Sequence, residues 1–342
     1  MERRKFLTAG AASVAAVGLA TTAGRHAQAA ETWQIQSLWQ AGSINQKVVE
    51  RFAQNVNAMT GGRLTLEALP VGAVVSHIES LDAVSSGILA SQQSATVYFT
   101  GRDPAFGLMG DLNAAYENPY QMTMWFYKGG GLELARELYK SYGLYYVGPV
   151  FWGVESIPMR IKISSLDDFK GVKLRMPEGP SAEIFRKLGA APVNLPGAEV
   201  YTSLERGVID GADWGTLSMN QDLGFHKIAK YPIYPGVHSM PAGDVAFNLD
   251  KWNALEPDLQ AILETATKSL NLDMIQTMAM ADLEARKALE GSGVELVALS
   301  GADRHRLRQV ASEVWADFAK RSPMAEKVYQ SQTAFLKKLG LL

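Results

Sequence analysis

Large apolar and polar residues alternate from Trp33 to Leu38 (WQIQSL), and this period of two predicts a half-buried strand ending before Gly42. Ser43 then stands where a capping side chain is needed. Val48 to Met59 reads as a helix stopped by Gly61-Gly62, and alternation resumes from Arg63 to Leu69 before Pro70. The chain thus opens as strand, helix, strand. Ser80 to Ser91 fits a second helix, and the apolar run Ala95 to Phe99 predicts a buried strand in a mostly parallel sheet. Pro104 to Glu117 lacks periodicity and predicts a loop. Short helical stretches follow between Met122 and Tyr142, with Leu132 to Tyr139 as the helix after the Gly129-Gly130-Gly131 break.

Tyr145 to Trp152, rich in β-branched and aromatic residues, predicts a strand, and Pro149 inside it requires a bend or an edge position. A second alternation comes next: strand Gly171 to Met176, helix Ser181 to Leu188, strand Ala191 to Leu195, and helix Ala198 to Arg206 ended by Gly207. Val245 to Leu249 predicts one further strand. Pro257 is a good first helical residue, and the Ala, Leu, Met and Glu after it predict one long helix to about Leu289. Val294 to Leu299 is predicted as a strand, and helices from about Ala302 to Lys320 and Met324 to Leu339 close the chain. No internal repeat is present. The expectation is an α/β fold in two units.

The first twenty-nine residues change the picture of where the chain works. MERRKFLTAGAASVAAVGLATTAGRHAQA has a charged start, a moderately apolar middle and a small-x-small end at Ala27-Gln28-Ala29, the pattern of a cleaved export signal. Arg3-Arg4 before Lys5-Phe6-Leu7 matches twin-arginine export, so residues 1–29 are expected to be removed and the rest to reach the periplasm. Apolar residues make up 47% of the chain, enough for two cores. A formal net charge of -2 with evenly scattered Lys and Arg excludes a nucleic-acid surface. Cysteine is absent, which excludes disulfides, thiolate nucleophiles and cysteine-held metals. The five histidines form no HExxH spacing, and the chain has no GxSxG elbow, no phosphate-binding loop and no dinucleotide fingerprint, so enzyme activity is not expected.

The stretch GVKLRMPEGPSAEIFRKLGAAPVNLPGAEVYTSLERGVIDGADWGTLSMNQDLGFHKIAKYPIYPG, from Gly171 to Gly236, together with NAMTGGRLTLEALPVG near the start, resembles the solute-binding subunits of tripartite ATP-independent periplasmic (TRAP) transporters, the DctP-type family. The resemblance spans nearly the whole exported chain. It implies a two-lobed α/β periplasmic-binding-protein fold of the type II-like kind, with lobe I at 30–153 plus about 244–280 and lobe II at 154–243 plus about 281–342. The helix at about 257–289 would be a spine through both lobes, and the strand Tyr145 to Trp152 a first hinge. It implies a small organic acid as ligand and the transporter's membrane subunits as partners. Some relatives dimerise through the terminal helices, and the amphipathic stretch Met324 to Leu339 fits either a dimer seam or a core-facing stripe.

By this resemblance Arg175 grips the ligand carboxylate, a role suited to the planar donor fork of a guanidinium. Strand alternation alone leaves Arg175 and Lys173 on one face, which also fits a solvated edge. The branch that binds 2-oxo acids through a metal ion carries a glutamine in a Gly-Val-Gln context and a glutamate before the tryptophan. This chain has Glu155 and Asp213 at those places, followed by Trp214. Both are oxygen donors, and the extra charge of Glu155 favours a divalent ion such as calcium over sodium. With calcium, the charges of Arg175, Glu155, Asp213 and one ligand carboxylate balance. Glu155, Asp213 and the Trp214 carbonyl are therefore the candidate metal ligands, and no organic cofactor is expected. Trp214, Tyr98, Phe99 and Trp152 are candidates for the walls of the ligand pocket, with Tyr98 reaching from the first lobe. Trp39 and Tyr234 are weaker candidates. In a rival reading Glu155 accepts a hydrogen bond from a nitrogen-bearing acid such as pyroglutamate, with no metal.

Overall fold

The computed structural model describes residues 31–342, and the expected export signal lies outside the described residues. β1 (Glu31–Ser37), α1 (Ile44–Met59) and β2 (Leu64–Leu69) open the chain, with Ser43 accepting the Gln46 amide as the cap of α1. α2 (Ser80–Ser85), β3 (Ser91–Gln93), α3 (Pro104–Gly110), α4 (Pro119–Lys128) and α5 (Gly131–Lys140) lead to β4 (Leu144–Phe151). A second group follows: β5 (Lys173–Arg175), α6 (Pro180–Lys187), β6 (Ala191–Val193), α7 (Val200–Glu205), β7 (Gly211–Ala212) and α8 (Leu217–Asp222). β8 (Ala242–Asn248) and α9 (Leu249–Ala254) precede three helices, α10 (Pro257–Leu289), α11 (Gly301–Ala319) and α12 (Pro323–Lys338).

Two sheets organise these elements. The larger has the order β2-β1-β3-β8-β4, with β1 parallel to β2 and β3 and β8 antiparallel to β3 and β4. β4 is the edge strand, where Pro149 is tolerated, and its register shifts between Tyr146 and Gly148. The smaller sheet, β6-β5-β7, is wholly parallel with β5 in the middle. It ends in the two residues that matter most below, Arg175 and, just past β7, Asp213.

α10 ties the two halves together. Its 33 residues span about 50 Å at 1.5 Å per residue. Leu263, Ala266, Leu270, Met274 and Met278 recur every three or four residues and bury against α1, β4 and the larger sheet. Further along, Ala285 and Leu289 pack on Leu217 of α8, and Asp282 accepts the Ser218 amide at 2.8 Å. α12 adds a second tie, packing on α3, α5 and α11 while Gln332 donates to the Leu108 carbonyl.

Four segments depart from the sequence expectation. Ala95 to Phe99 is not a strand, since Thr96–Phe99 is a 3-10 turn and the third strand is Ser91–Gln93. That strand is polar and fully buried, with Ser91 donating to the Ala246 carbonyl and Gln92 to Asp244 while the Gln93 amide has no partner, so an apolar pattern passes over it. The helix expected over Ser80 to Ser91 accordingly stops at Ser85, and Gly87 takes φ +80° to turn the chain. The expected loop after Pro104 contains α3, capped by Asp103 accepting the Ala105 amide. Its glycines are packing residues: a Cβ on Gly110 would lie 2.7 Å from the Val97 nitrogen. Val294 to Leu299 forms only one bridge, Val297 to Ile233.

The larger sheet buries an acid at its centre. Asp244 on β8 is fully buried and accepts the Tyr139 hydroxyl at 2.5 Å, Gln92 at 2.8 Å and the Ser94 amide at 2.8 Å. Burial still outweighs these bonds and pushes its carboxyl up to about 7. Between about pH 4 and 7 the folded protein holds a proton that the unfolded chain has released, so this group makes stability fall as pH rises through that window. Asp244→Asn removes the titration, and its amide can face Gln92 once that side chain flips to use its unpartnered carbonyl oxygen. Thermal unfolding is expected to show the variant gaining on the parent between pH 4 and pH 8. A constant difference across that range would contradict a buried titrating Asp244.

Candidate functional site

Arg175 is the last residue of β5 and Asp213 follows β7, the neighbouring parallel strand. Both lie at the carboxyl end of the smaller sheet, where open α/β sheets receive ligands. The Asp213 amide donates to the Arg175 carbonyl at 2.8 Å. The Arg175 guanidinium donates from Nη1 to the Asp213 carbonyl and from Nε to the Leu195 carbonyl at 3.1 Å. These bonds use two of its five N–H donors and fix its plane, leaving three donors for a ligand. Arg175 is 9% exposed, whereas Lys173 on the same strand face is exposed to solvent.

A cavity of about 320 Å³ opens beside this guanidinium. Tyr98, Trp152, Glu155, Arg175, Asp213 and Trp214 all line it, so residues far apart in sequence meet in one space. Trp39 lines it too, its ring edge-on to Trp152 at 5.0 Å. Trp214 stands edge-on to Phe225 at 6.0 Å, and Gly197 leaves room for its indole, since a Cβ there would lie 3.0 Å from the ring nitrogen. Phe99 is not on the cavity wall: it is buried against Phe106, and the shallow mouth outside Arg175 is what it borders. Tyr234 also lies away from the cavity, packed against Leu217, Ala285 and Leu289.

Glu155 and Asp213 are both buried, and His238 joins them. His238 Nε2 lies 3.2 Å from Asp213 Oδ1, and the three side chains offer donor atoms within 4.8 Å of one another. Glu155 accepts the Trp152 indole N–H at 3.1 Å and the Ser239 hydroxyl at 2.8 Å. Burial, reinforced by the neighbouring Asp213 charge, holds the Glu155 carboxyl far above its ordinary range. Burial also opposes the Asp213 charge, but His238 and Arg175 outweigh it and keep that carboxyl below its ordinary value. Two buried carboxylates this close hold either a proton or a cation between them. The donor set of two carboxylates and an imidazole, closed off from solvent, fits one small cation.

Further polar residues line the cavity that sequence reading did not select, among them Ser239, Asp111, Asn113 and His77. Ser239 bridges Glu155 and Asp111, donating toward the Asp111 carboxylate at 2.6 Å, and Asn113 donates to the same oxygen at 2.7 Å. Burial pushes the Asp111 carboxyl up to about 7. His77 stands against Tyr98 with ring centres 4.6 Å apart, and burial followed by the Arg175 charge lowers its pKa. His238, Asp111, Asn113 and Ser239 carry no motif spacing, and only the packing of the 111–113 and 238–240 segments on Glu155 reveals them.

The sequence matches the DctP profile, described as bacterial extracellular solute-binding protein, family 7, over residues 35–322. The chain belongs to this family. Members are solute-binding proteins of transporters rather than enzymes. A monocarboxylate 2-oxoacid-binding periplasmic protein of Nostoc sp. is 28% identical, over 99% of this chain and 95% of its own. A TRAP periplasmic solute-binding protein of Rhodobacter sphaeroides, solved in an apo open form, is 41% identical over 91% of this chain and 99% of its own, with a TM-score of 0.78. A third, from Pseudoalteromonas atlantica and solved with bound sodium and pyruvate, is 29% identical over 91% and 95%, with a TM-score of 0.82. These matches carry the two-lobed α/β fold to the DctP chain described here. Among its described residues no helix is long and apolar enough to cross a membrane.

In this DctP protein Gly236 sets how closely the 235–240 segment approaches Glu155. A Cβ at Gly236 would fall 1.5 Å from the Glu155 carbonyl oxygen, a position no side chain can share with backbone. Gly236→Ala is therefore expected to displace Glu155 and to destabilise by about 2 kcal/mol or more, lowering Tm by several degrees. Unchanged thermal unfolding would show that the segment moves freely and does not position the carboxylate.

Proposed function

We propose that this DctP protein captures a small monocarboxylate bearing a 2-oxo or 2-hydroxy group and delivers it to the membrane subunits of a TRAP transporter. The observation that carries the reading is one cavity in which a backbone-pinned guanidinium faces two buried carboxylates. Arg175 takes the ligand carboxylate with its remaining donors. Glu155 and Asp213, with the Trp214 carbonyl as the family resemblance implies and His238 beside them, would hold a calcium or sodium ion. Such an ion supplies positive charge to the ligand's carboxylate and adjacent oxygen, and it removes the repulsion between the two acids. The sodium and pyruvate held by the Pseudoalteromonas relative support this reading. Trp152, Trp214 and Tyr98 close the apolar walls.

Capture follows from closure of two lobes over the cavity. We take residues 30–153 with about 244–280 as one lobe and 154–243 with about 281–342 as the other, joined by the strand ends near 152 and 243 and by the long helix. Ligand favours the closed form only as far as it binds that form more tightly than the open one, and Tyr98 from one lobe and Arg175 from the other would supply the difference.

Calorimetric titration of metal-stripped protein with pyruvate, lactate, larger 2-oxo acids and pyroglutamate, each with and without calcium, tests the reading. Binding of 2-oxo or 2-hydroxy acids that requires the added ion is the expected outcome. Ion-independent binding of pyroglutamate alone would replace the metal with a hydrogen bond from ligand nitrogen to Glu155. Arg175→Ala is expected to weaken carboxylate binding about a hundredfold or more while the protein stays folded, as when one partner of a buried charge pair is lost. Tight binding by that variant would remove Arg175 from the site.

A further inference from the structure

Behind the ligand cavity lies a second one of about 620 Å³, and the two share Asp111 and Ser239 as a common wall. Its far side is one face of α11: Gly301, Arg304, His305 and Arg308 recur at the three- and four-residue spacing that stacks side chains along a helix. Both arginines are held by backbone carbonyls. Arg308 donates from Nε to the Ala114 carbonyl at 2.9 Å and from Nη1 to the Leu341 carbonyl at 3.4 Å. Arg304 donates from Nε to the Leu299 carbonyl at 3.2 Å, and its terminal nitrogens have no acceptor among the described residues. Anchored guanidiniums of this kind lose little further freedom when they bind.

The near side is equally fixed. Ala114 takes φ +62°, a left-handed conformation unusual for a residue with a side chain, and its amide donates to the His238 carbonyl at 3.0 Å. Two residues on, Tyr116 lines the cavity, and its hydroxyl is out of contact with solvent and has no hydrogen-bond partner. A buried hydroxyl left without a partner costs on the order of 1–3 kcal/mol, which a bound acceptor would recover. Two acids face this space: Glu117 at the rim, 4.0 Å from Arg308, and Asp111 in the shared wall, whose carboxylate already accepts the Ser239 hydroxyl and the Asn113 amide. The donors thus outnumber the free acceptors: two guanidiniums and a phenol hydroxyl around a space large enough for several heavy atoms.

We propose that this rear cavity is a second binding site, for a small oxyanion of the carboxylate or phosphate class, held by Arg304, Arg308 and the Tyr116 hydroxyl. It is separate from the Arg175 cavity and does not rest on the function proposed for that cavity.

Calorimetric titration of the full chain with inorganic phosphate, and separately with succinate, tests it, using the parent protein, Arg175→Ala, Arg304→Ala and Tyr116→Phe. Saturable binding of at least one anion is expected in both the parent and Arg175→Ala. Arg304→Ala should weaken it about tenfold or more, and Tyr116→Phe severalfold, the sizes of one charged and one neutral hydrogen bond. Arg304 is exposed, so its loss should leave the fold intact. Binding of phosphate alone assigns the site to phosphate esters or free phosphate, and binding of succinate alone to carboxylates. The proposal falls if neither anion binds at about 1 mM, the range of a weak specific site. It falls equally if binding disappears in Arg175→Ala or is unmoved in Arg304→Ala.

Discussion

Backbone bonds between Arg175 and Asp213 hold the positive and negative charges of the ligand cavity in fixed register. The pairing of β5 with β7 places the two residues at adjacent strand ends, and the Asp213 amide and carbonyl both engage Arg175. The guanidinium is thereby oriented before any ligand arrives. Preorganised donors avoid an ordering cost at the moment of binding, so the short parallel sheet works as a mount for one side chain. The cavity's other polar residues are placed relative to this pair.

Four buried carboxyls, Asp111, Glu155, Asp213 and Asp244, make this an electrostatically expensive interior. Each is answered differently. Asp213 stays charged because His238 and Arg175 face it. Burial pushes Asp244 and Asp111 up toward neutrality, and Glu155 is raised by burial and by the Asp213 charge beside it. Ser239 shows the constraint in one atom: its hydroxyl lies within hydrogen-bond distance of both Asp111 and Glu155 but carries a single proton. One of those two acids must therefore return a proton to the hydroxyl while the cavity is without an ion. A cation on Glu155 and Asp213 would offset the charge of that pair in place of a proton, so protons and cations are alternatives there, and Asp111 is then the acid that returns a proton to Ser239.

The two sheets would drift apart without elements that belong to both. α10 buries one face on the larger sheet and its far end on α8, and α12 lies across α3, α5 and α11. The lobe closure proposed for ligand capture would require such continuous elements, since they limit motion to a hinge and keep the cavity walls in register.

Much of this was legible in the sequence. Period-two alternation marked β1 and β2, β-branched and aromatic content marked β4, and caps, stops and helix-favouring runs marked α1, α6 and α10, because these elements bury one face and obey local propensity. Arg175, Glu155, Asp213, Tyr98, Trp152 and Trp214 were selected from a family resemblance and meet in one cavity. The misses share a cause. β3 is a buried strand of Ser and Gln held in part by Ser91 and Gln92 side-chain hydrogen bonds across the sheet, and α3 is a helix whose glycines exist for close packing. His238, Asp111 and Ser239 form no motif, because they meet Glu155 only through the long-range approach that Gly236 permits. The sequence by itself determined most of the elements and the export signal, which depend on neighbours within a few residues. Tertiary structure alone decided which polar groups face one another, because burial and partner geometry are set by residues a hundred or more positions apart.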